Sequence, residues 1–154
     1  MIWEELNESL IFTGIDTRDF TGIMEKLGGA MIQEGYAKDS YVEALVKREK
    51  EFPTGLDING IGIAIPHTDV SHVNKQGIAI GRLKNPVTFI QMGTEDEVPV
   101  RLIFMLSVKD PNAHIDQLQR IVDIIQDQDV LNKLLEVKDA SQIIEVIKEK
   151  ESTL

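Results

Sequence analysis

His67 closes the stretch GIGIAIPHTD (Gly60–Asp69), where an apolar run of small and β-branched residues meets a proline, a histidine and an acid. Imidazole has an ordinary pKa close to neutral pH, so an appreciable neutral fraction is free to attack an electrophile or to take a proton. Pro66 supplies no amide donor and restricts the backbone, so the chain is expected to leave the ladder there and present His67 at the rim of a sheet. A rigid strand end is a good platform for a reacting group. On these grounds alone His67 is a nucleophile, a general base or a structural residue.

Two other side chains narrow the chemistry. His114 falls in the first turn of a helix that follows an apolar strand, and helix N-termini favour anions. If that helix starts beside the end of the GIGIAI strand, His114 and backbone amides face a phosphate carried on His67. Arg48 offers the planar, multi-donor grip that phosphate oxygens favour. The plainer reading makes His114 a polar helix-start residue, and makes Lys47, Arg48 and Lys50 a cationic helix end that suits the dipole. Asp69 either tunes His67 by charge or is a solvated turn residue.

Other chemistries find little support. The chain has no G-x-S-x-G elbow, no G-x-x-x-x-G-K-[ST] loop and no H-E-x-x-H helix. GIG at Gly60–Gly62 precedes a strand instead of opening a helix, which removes the dinucleotide fingerprint. His67, Asp69 and His72 match no common metal-ligand spacing, and a polar loop explains them more simply. A hydrolase with His67 as base and Asp69 as orienter lacks a nucleophile.

The elements that must position these groups follow from periodicity. Asp16 or Thr17 is expected to cap a first helix with Phe20, Ile23, Met24, Leu27, Ala30 and Met31 inward and Gly35 as its stop. Within it, Gly28 and Gly29 read as places where other backbone approaches closely. Ser40 and Glu43 form a capping box for a second helix, with Val42, Leu45 and Val46 inward, ending before Pro53. Strands are expected over 61–65, 77–83, 87–90 and 100–108, the last apolar on both faces as in a covered central strand. Asp110 or Asn112 caps the next helix, with Pro111 in its first turn and Ile115, Leu118, Ile121, Val122 and Ile125 inward. Shorter helices over 130–135 and 141–148 close the chain, Asp139 and Gln142 resembling a capping box for the second. Helices, then strands, then helices point to an α/β sandwich: a mixed β-sheet flanked by helices on both faces, in one domain over residues 1–154.

The whole chain bounds its partners. A formal net charge of -10 argues against nucleic acid, whose phosphates would be repelled, and favours a basic protein. The run VPVRLIFMLSV (Val98–Val108) is too short to cross a bilayer and carries Arg101, so direct membrane insertion is not expected. MIWEELNESL lacks the basic start and apolar middle of a signal peptide, and the chain has no cysteine, so a cytoplasmic location is expected.

REKEFPTGL (Arg48–Leu56), GIAIPH (Gly62–His67) and NAHIDQLQRI (Asn112–Ile121), in that order, resemble the type-2 EIIA domains of the bacterial phosphoenolpyruvate-dependent sugar phosphotransferase system. This is the mannitol, fructose and galactitol group, and the helix-strand order agrees over nearly the whole chain. The resemblance implies that His67 accepts a phosphoryl group on Nε2 from the phosphocarrier protein HPr and passes it to a cysteine of a cognate IIB component. It implies that Arg48 and His114 stabilise the phosphate, and that the membrane IIC component is met only indirectly. No cofactor and no metal are implied, because an N-linked phosphoryl group keeps a high transfer potential and needs only positioning and charge stabilisation.

Many mannitol- and fructose-type members have glycine after the active histidine, where this chain has Thr68 and Asp69, and EFPTG looks more like the galactitol branch. A galactitol-type system is therefore expected. The alternative within the resemblance is a regulatory module whose phosphorylation state changes which protein it binds. An apolar collar around the histidine, drawn from Ile65, Val70 and Phe52, would exclude water.

Overall fold

The computed structural model describes all 154 residues. After two short 3-10 turns comes strand β1 (Ile11–Ile15), then α1 (Phe20–Ile23), a π-helical segment (Met24–Gly28) and α2 (Gly29–Gln33). Helix α3 (Tyr41–Glu51) leads into the hairpin β2 (Gly55–Ile58) and β3 (Ile61–Ala64). The long strands β4 (Gly77–Ile90) and β5 (Glu97–Ser107) follow, and α4 (Pro111–Ile125), α5 (Gln128–Glu136) and α6 (Ala140–Glu151) complete the chain.

The five strands form one mixed sheet in the order β1-β4-β5-β3-β2. β1 runs parallel to β4 and β3 parallel to β5, while the β4–β5 and β2–β3 pairs are antiparallel. Each face carries its own core. On one side α1, the π segment, α2 and α3 bury Ile23, Met24, Leu27, Met31 and Leu45; on the other α4, α5 and α6 bury Ile121, Ile124, Leu131, Leu134 and Ile143. This is the expected α/β sandwich, with β5 in the centre. None of the helices is long and apolar enough to cross a membrane.

β5 does not alternate simply. Val98 and Val100 belong to the first core, but Leu102, Phe104 and Leu106 belong to the second, with Ile103 and Met105 now in the first. The switch falls at exposed Arg101, where the pairing with β4 also slips between Arg82 and Val87. A one-residue change of phase moves every later side chain to the other face, so this irregularity decides which residues cover α4.

Several local expectations change. Asp19, not Asp16 or Thr17, caps α1, accepting from Gly22 N at 3.0 Å. A Cβ at Gly28 would lie 3.0 Å from Val42 Cγ2 and 3.1 Å from Leu45 Cδ1, so the close approach there is by side chains of α3, and Gly29 is open. Ser40 does precede α3 but makes no side-chain cap; its Oγ bonds His72 Nδ1 at 2.8 Å. Tyr41, Leu45 and Glu49 are the buried positions of α3, while Val42 and Val46 are half-buried. The expected strands over 77–83 and 87–90 are one bulged strand, and β1 and β2 are additional to the expected strands.

Candidate active site

The site gathers at the end of β3. β3 is wedged between β2 and β5, and Gly62 is required there because a Cβ would fall 2.1 Å from Pro99 O of β5. Ile63 and Ile65 sit in the core under α4, and Ala64 faces the opposite core, so the strand is buried on both sides. Pro66 does not end the ladder outright: it has no N–H to give, but its carbonyl accepts from Leu106 N of β5 at 2.9 Å. The Ile65–Pro66 peptide is trans. His67 follows at the rim, half-buried.

The imidazole of His67 is oriented by its own chain. Nδ1 lies 3.0 Å from Ile65 O, and since a carbonyl only accepts, Nδ1 carries the proton. The neutral ring is therefore held as the Nδ1–H tautomer, with the lone pair on Nε2. Burial pushes the imidazolium form below the ordinary histidine range, the charges of His114 and Arg48 act in the same direction, and the Ile65 hydrogen bond opposes them. The net effect favours a neutral, nucleophilic ring.

His114 stands beside it. Asp110 caps α4 by accepting from Asn112 N at 2.9 Å, Pro111 occupies the first turn, and His114 N bonds back to Asp110 O at 3.0 Å. This brings the two imidazoles to a centroid separation of 4.9 Å with planes inclined at 50°. Burial and the Arg48 charge lower the pKa of His114 as well. The expected backbone amides are not simply on offer, since Asp110 takes the Asn112 amide.

Arg48 enters from the last turn of α3, its guanidinium 5.1 Å from the Phe52 ring centroid. Arg48 Nε and His114 Nδ1 are both buried and make no hydrogen bond within the protein. Buried polar atoms normally find partners, so these two orphans leave hydrogen-bonding capacity that a polar ligand would complete. The Arg48 charge reaches both histidines and Asp69.

Asp69 and His72 are engaged elsewhere. Asp69 caps a 3-10 turn (Val70–His72), accepting from Ser71 N at 3.0 Å and from Ser71 Oγ, and these bonds hold its carboxyl below the usual range. His72 turns its Nδ1 to Ser40 and its Nε2 to within 3.9 Å of Asp69. The plain reading of Asp69, a turn residue, fits this geometry.

The expected apolar collar loses Ile65. Ile65 is 2% exposed and belongs to the core, whereas Phe52 and Val70 are exposed. Ile115, expected to face inward, is 68% exposed directly beside His114. Glu49 and Thr54, which the sequence did not single out, are buried just behind the site and joined to each other.

Against this geometry stand the likenesses. The family described as phosphoenolpyruvate-dependent sugar phosphotransferase system, EIIA 2, matches residues 4–150. The galactitol-specific EIIA component of the phosphotransferase system of Escherichia coli (strain K12) is 31% identical over 123 residues, covering 80% of this chain and 82% of the relative. Nitrogen regulatory protein IIA-Ntr from Neisseria meningitidis has a TM-score of 0.79 at 27% identity, covering 95% of this chain and 98% of that one. The Escherichia coli complex of enzyme IIAMtl with phosphorylated enzyme IIBMtl gives a TM-score of 0.79 at 24% identity over 94% of this chain and 97% of that one, a likeness of fold.

Proposed function

The chain belongs to the type-2 EIIA family of the phosphoenolpyruvate-dependent sugar phosphotransferase system, and we propose that His67 carries the phosphoryl group between HPr and a IIB component. The Nε2 lone pair attacks the phosphorus of phospho-HPr, a new N–P bond forms, and the pair of the broken N–P bond returns to the donor imidazole. In the second half, the thiolate of a IIB cysteine attacks the same phosphorus and His67 leaves as the neutral ring.

The observation that carries this reading is the Ile65 carbonyl 3.0 Å from His67 Nδ1, which leaves Nε2 as the nucleophile. Arg48 Nε and His114 Nδ1, both unpartnered, supply the stabilising contacts to the phosphoryl oxygens. Phe52, Val70 and Ile115 are exposed apolar side chains close in sequence to Arg48, His67 and His114, suited to short-lived docking that excludes water. The net charge of -10 matches a donor that is basic around its own histidine.

A galactitol-type partner set is favoured by the EFPTG stretch and by the galactitol-specific relative at 31% identity. A regulatory role is the second reading, favoured by the likeness to IIA-Ntr. Intact mass after incubation with phosphoenolpyruvate, enzyme I and HPr tests the carrier role: one phosphoryl group on wild type and none on His67→Ala is expected. No addition to wild type with HPr fully charged would overturn it. Discharge by a galactitol-type IIB, faster than by a mannitol-type one, separates transport from regulation.

A further inference from the structure

We propose that Glu49 and Thr54 are positioning residues for the His67 nucleophile, acting through Ile65; this rests on the carrier reading above. The connection is continuous. Thr54 N donates to Glu49 Oε2 at 2.6 Å and Thr54 Oγ1 donates to Glu49 Oε1 at 2.8 Å. Thr54 Oγ1 in turn accepts from Ile65 N at 3.2 Å, and Ile65 O accepts from His67 Nδ1 at 3.0 Å.

Each polarity in this chain is dictated by its neighbour. Ile65 N can only donate, so the Thr54 oxygen accepts there and must send its own proton to Glu49. Glu49 as a carboxylate accepts from both Thr54 donors, and a protonated acid would disrupt that pattern. Burial favours the neutral acid, while the Thr54 bonds and the adjacent Arg48 favour the carboxylate. Thr54 is 4% exposed and Glu49 6%, so water does not substitute readily for either partner.

The consequence is geometric. Ile65 is the last residue before Pro66, and Pro66 has no N–H with which to hold the strand end. The Thr54 hydroxyl fixes Ile65 from the β2 side, Leu106 N fixes the Pro66 carbonyl from the β5 side, and the Ile65 carbonyl is thereby aimed at Nδ1. Glu49 adjoins Arg48 in the last turn of α3, so one helical turn supplies both the guanidinium and the buried carboxylate. A support that merely joins β2 to β3 would leave the tautomer of His67 unchanged when removed.

Thr54→Val keeps the shape and deletes the hydroxyl, and Glu49→Gln keeps the shape and deletes the charge. The readouts are the tautomer and titration midpoint of His67 by long-range 1H–15N NMR, and the acceptance rate at saturating phospho-HPr. In wild type the Nδ1–H form is expected to dominate. Thr54→Val is expected to populate the Nε2–H form, move the midpoint and slow acceptance by about tenfold or more, and Thr54→Ser to restore all three.

Tautomer, midpoint and rate within about twofold of wild type in a folded Thr54→Val protein would overturn the proposal. If that variant does not fold, the same thresholds applied to Glu49→Gln decide it. Failure of wild type to accept phosphate defeats the carrier reading alone, because tautomer and midpoint still report on the relay.

Discussion

His67 and His114 face each other with ring centroids 4.9 Å apart, one at the end of β3 and the other in the first turn of α4. Two cationic rings at that distance would repel, and burial already disfavours the charge on each. Both are therefore neutral near pH 7, which suits the proposed roles of His67 as attacking group and His114 as a contact to the phosphoryl oxygens.

Loss of either stabilising group should slow transfer without abolishing it. His114→Ala and Arg48→Ala are each expected to lower acceptance from phospho-HPr by about 100-fold, the scale of one lost transition-state donor. Arg48→Lys should recover only part of this, because an ammonium cannot reproduce the two-pronged grip. Single-turnover rates at saturating phospho-HPr check both.

Acid should act on stability before it acts on chemistry. With folded pKa values below the ordinary histidine value of about 6.5, the unfolded chain binds more protons than the folded one between the two. The contribution of the two histidines is thus complete above about pH 6.5 and is lost as pH falls through their folded values. Glu49 has the opposite sign: its raised pKa gives a contribution that is lost as pH rises above the ordinary value of 4.5. Because Glu49 is present in both proteins, the change in urea midpoint from pH 7 to pH 5 should be more unfavourable in wild type than in the His67→Ala/His114→Ala protein. Acceptance should hold its neutral-pH rate below about pH 6.5.

Ile115 should matter for partners and not for folding. At 68% exposed it has little apolar area to lose, so Ile115→Ser is expected to change stability by less than about 0.5 kcal/mol. The same change should raise the apparent KM for phospho-HPr severalfold with little effect on the rate at saturation.

Gly62→Ala is the opposite case. Its Cβ would lie 2.1 Å from Pro99 O and 2.7 Å from Pro99 C, so two paired strands must separate. We expect a loss of about 2–4 kcal/mol by urea unfolding, with slower acceptance because β3 carries Ile65 and His67.

What could be read from the sequence follows the range of the forces involved. His67 at a rigid strand end was legible because a strand, a proline and a histidine are consecutive, and the α4 start was legible from Asp110 and Pro111. The α/β sandwich followed from element order, and β5 from its doubly apolar pattern. β1 and β2 escaped because they have only five and four residues and are interrupted by glycine or aspartate.

Ile115 looked inward because its spacing fits an apolar stripe of α4, yet the buried face runs through Gln117, Ile121, Ile124 and Ile125 and leaves Ile115 exposed. Glu49 lay hidden in the charged run REKE, where nothing local distinguishes the one carboxylate that turns inward. Ser40 has the form of a cap but finds His72, a partner 32 residues away. Burial and partner choice of this kind are set by tertiary packing, not by local propensity.

In the proposed reaction His67 is held through Nδ1 so that Nε2 takes the phosphoryl group. The most direct measurement is 15N and 31P NMR of the protein charged from phosphoenolpyruvate through HPr, with labelled histidine. A phosphorus coupling at His67 Nε2, with the Nδ1 proton retained, is the predicted result. Phosphorus on Nδ1, or on His72 or His114, would contradict it.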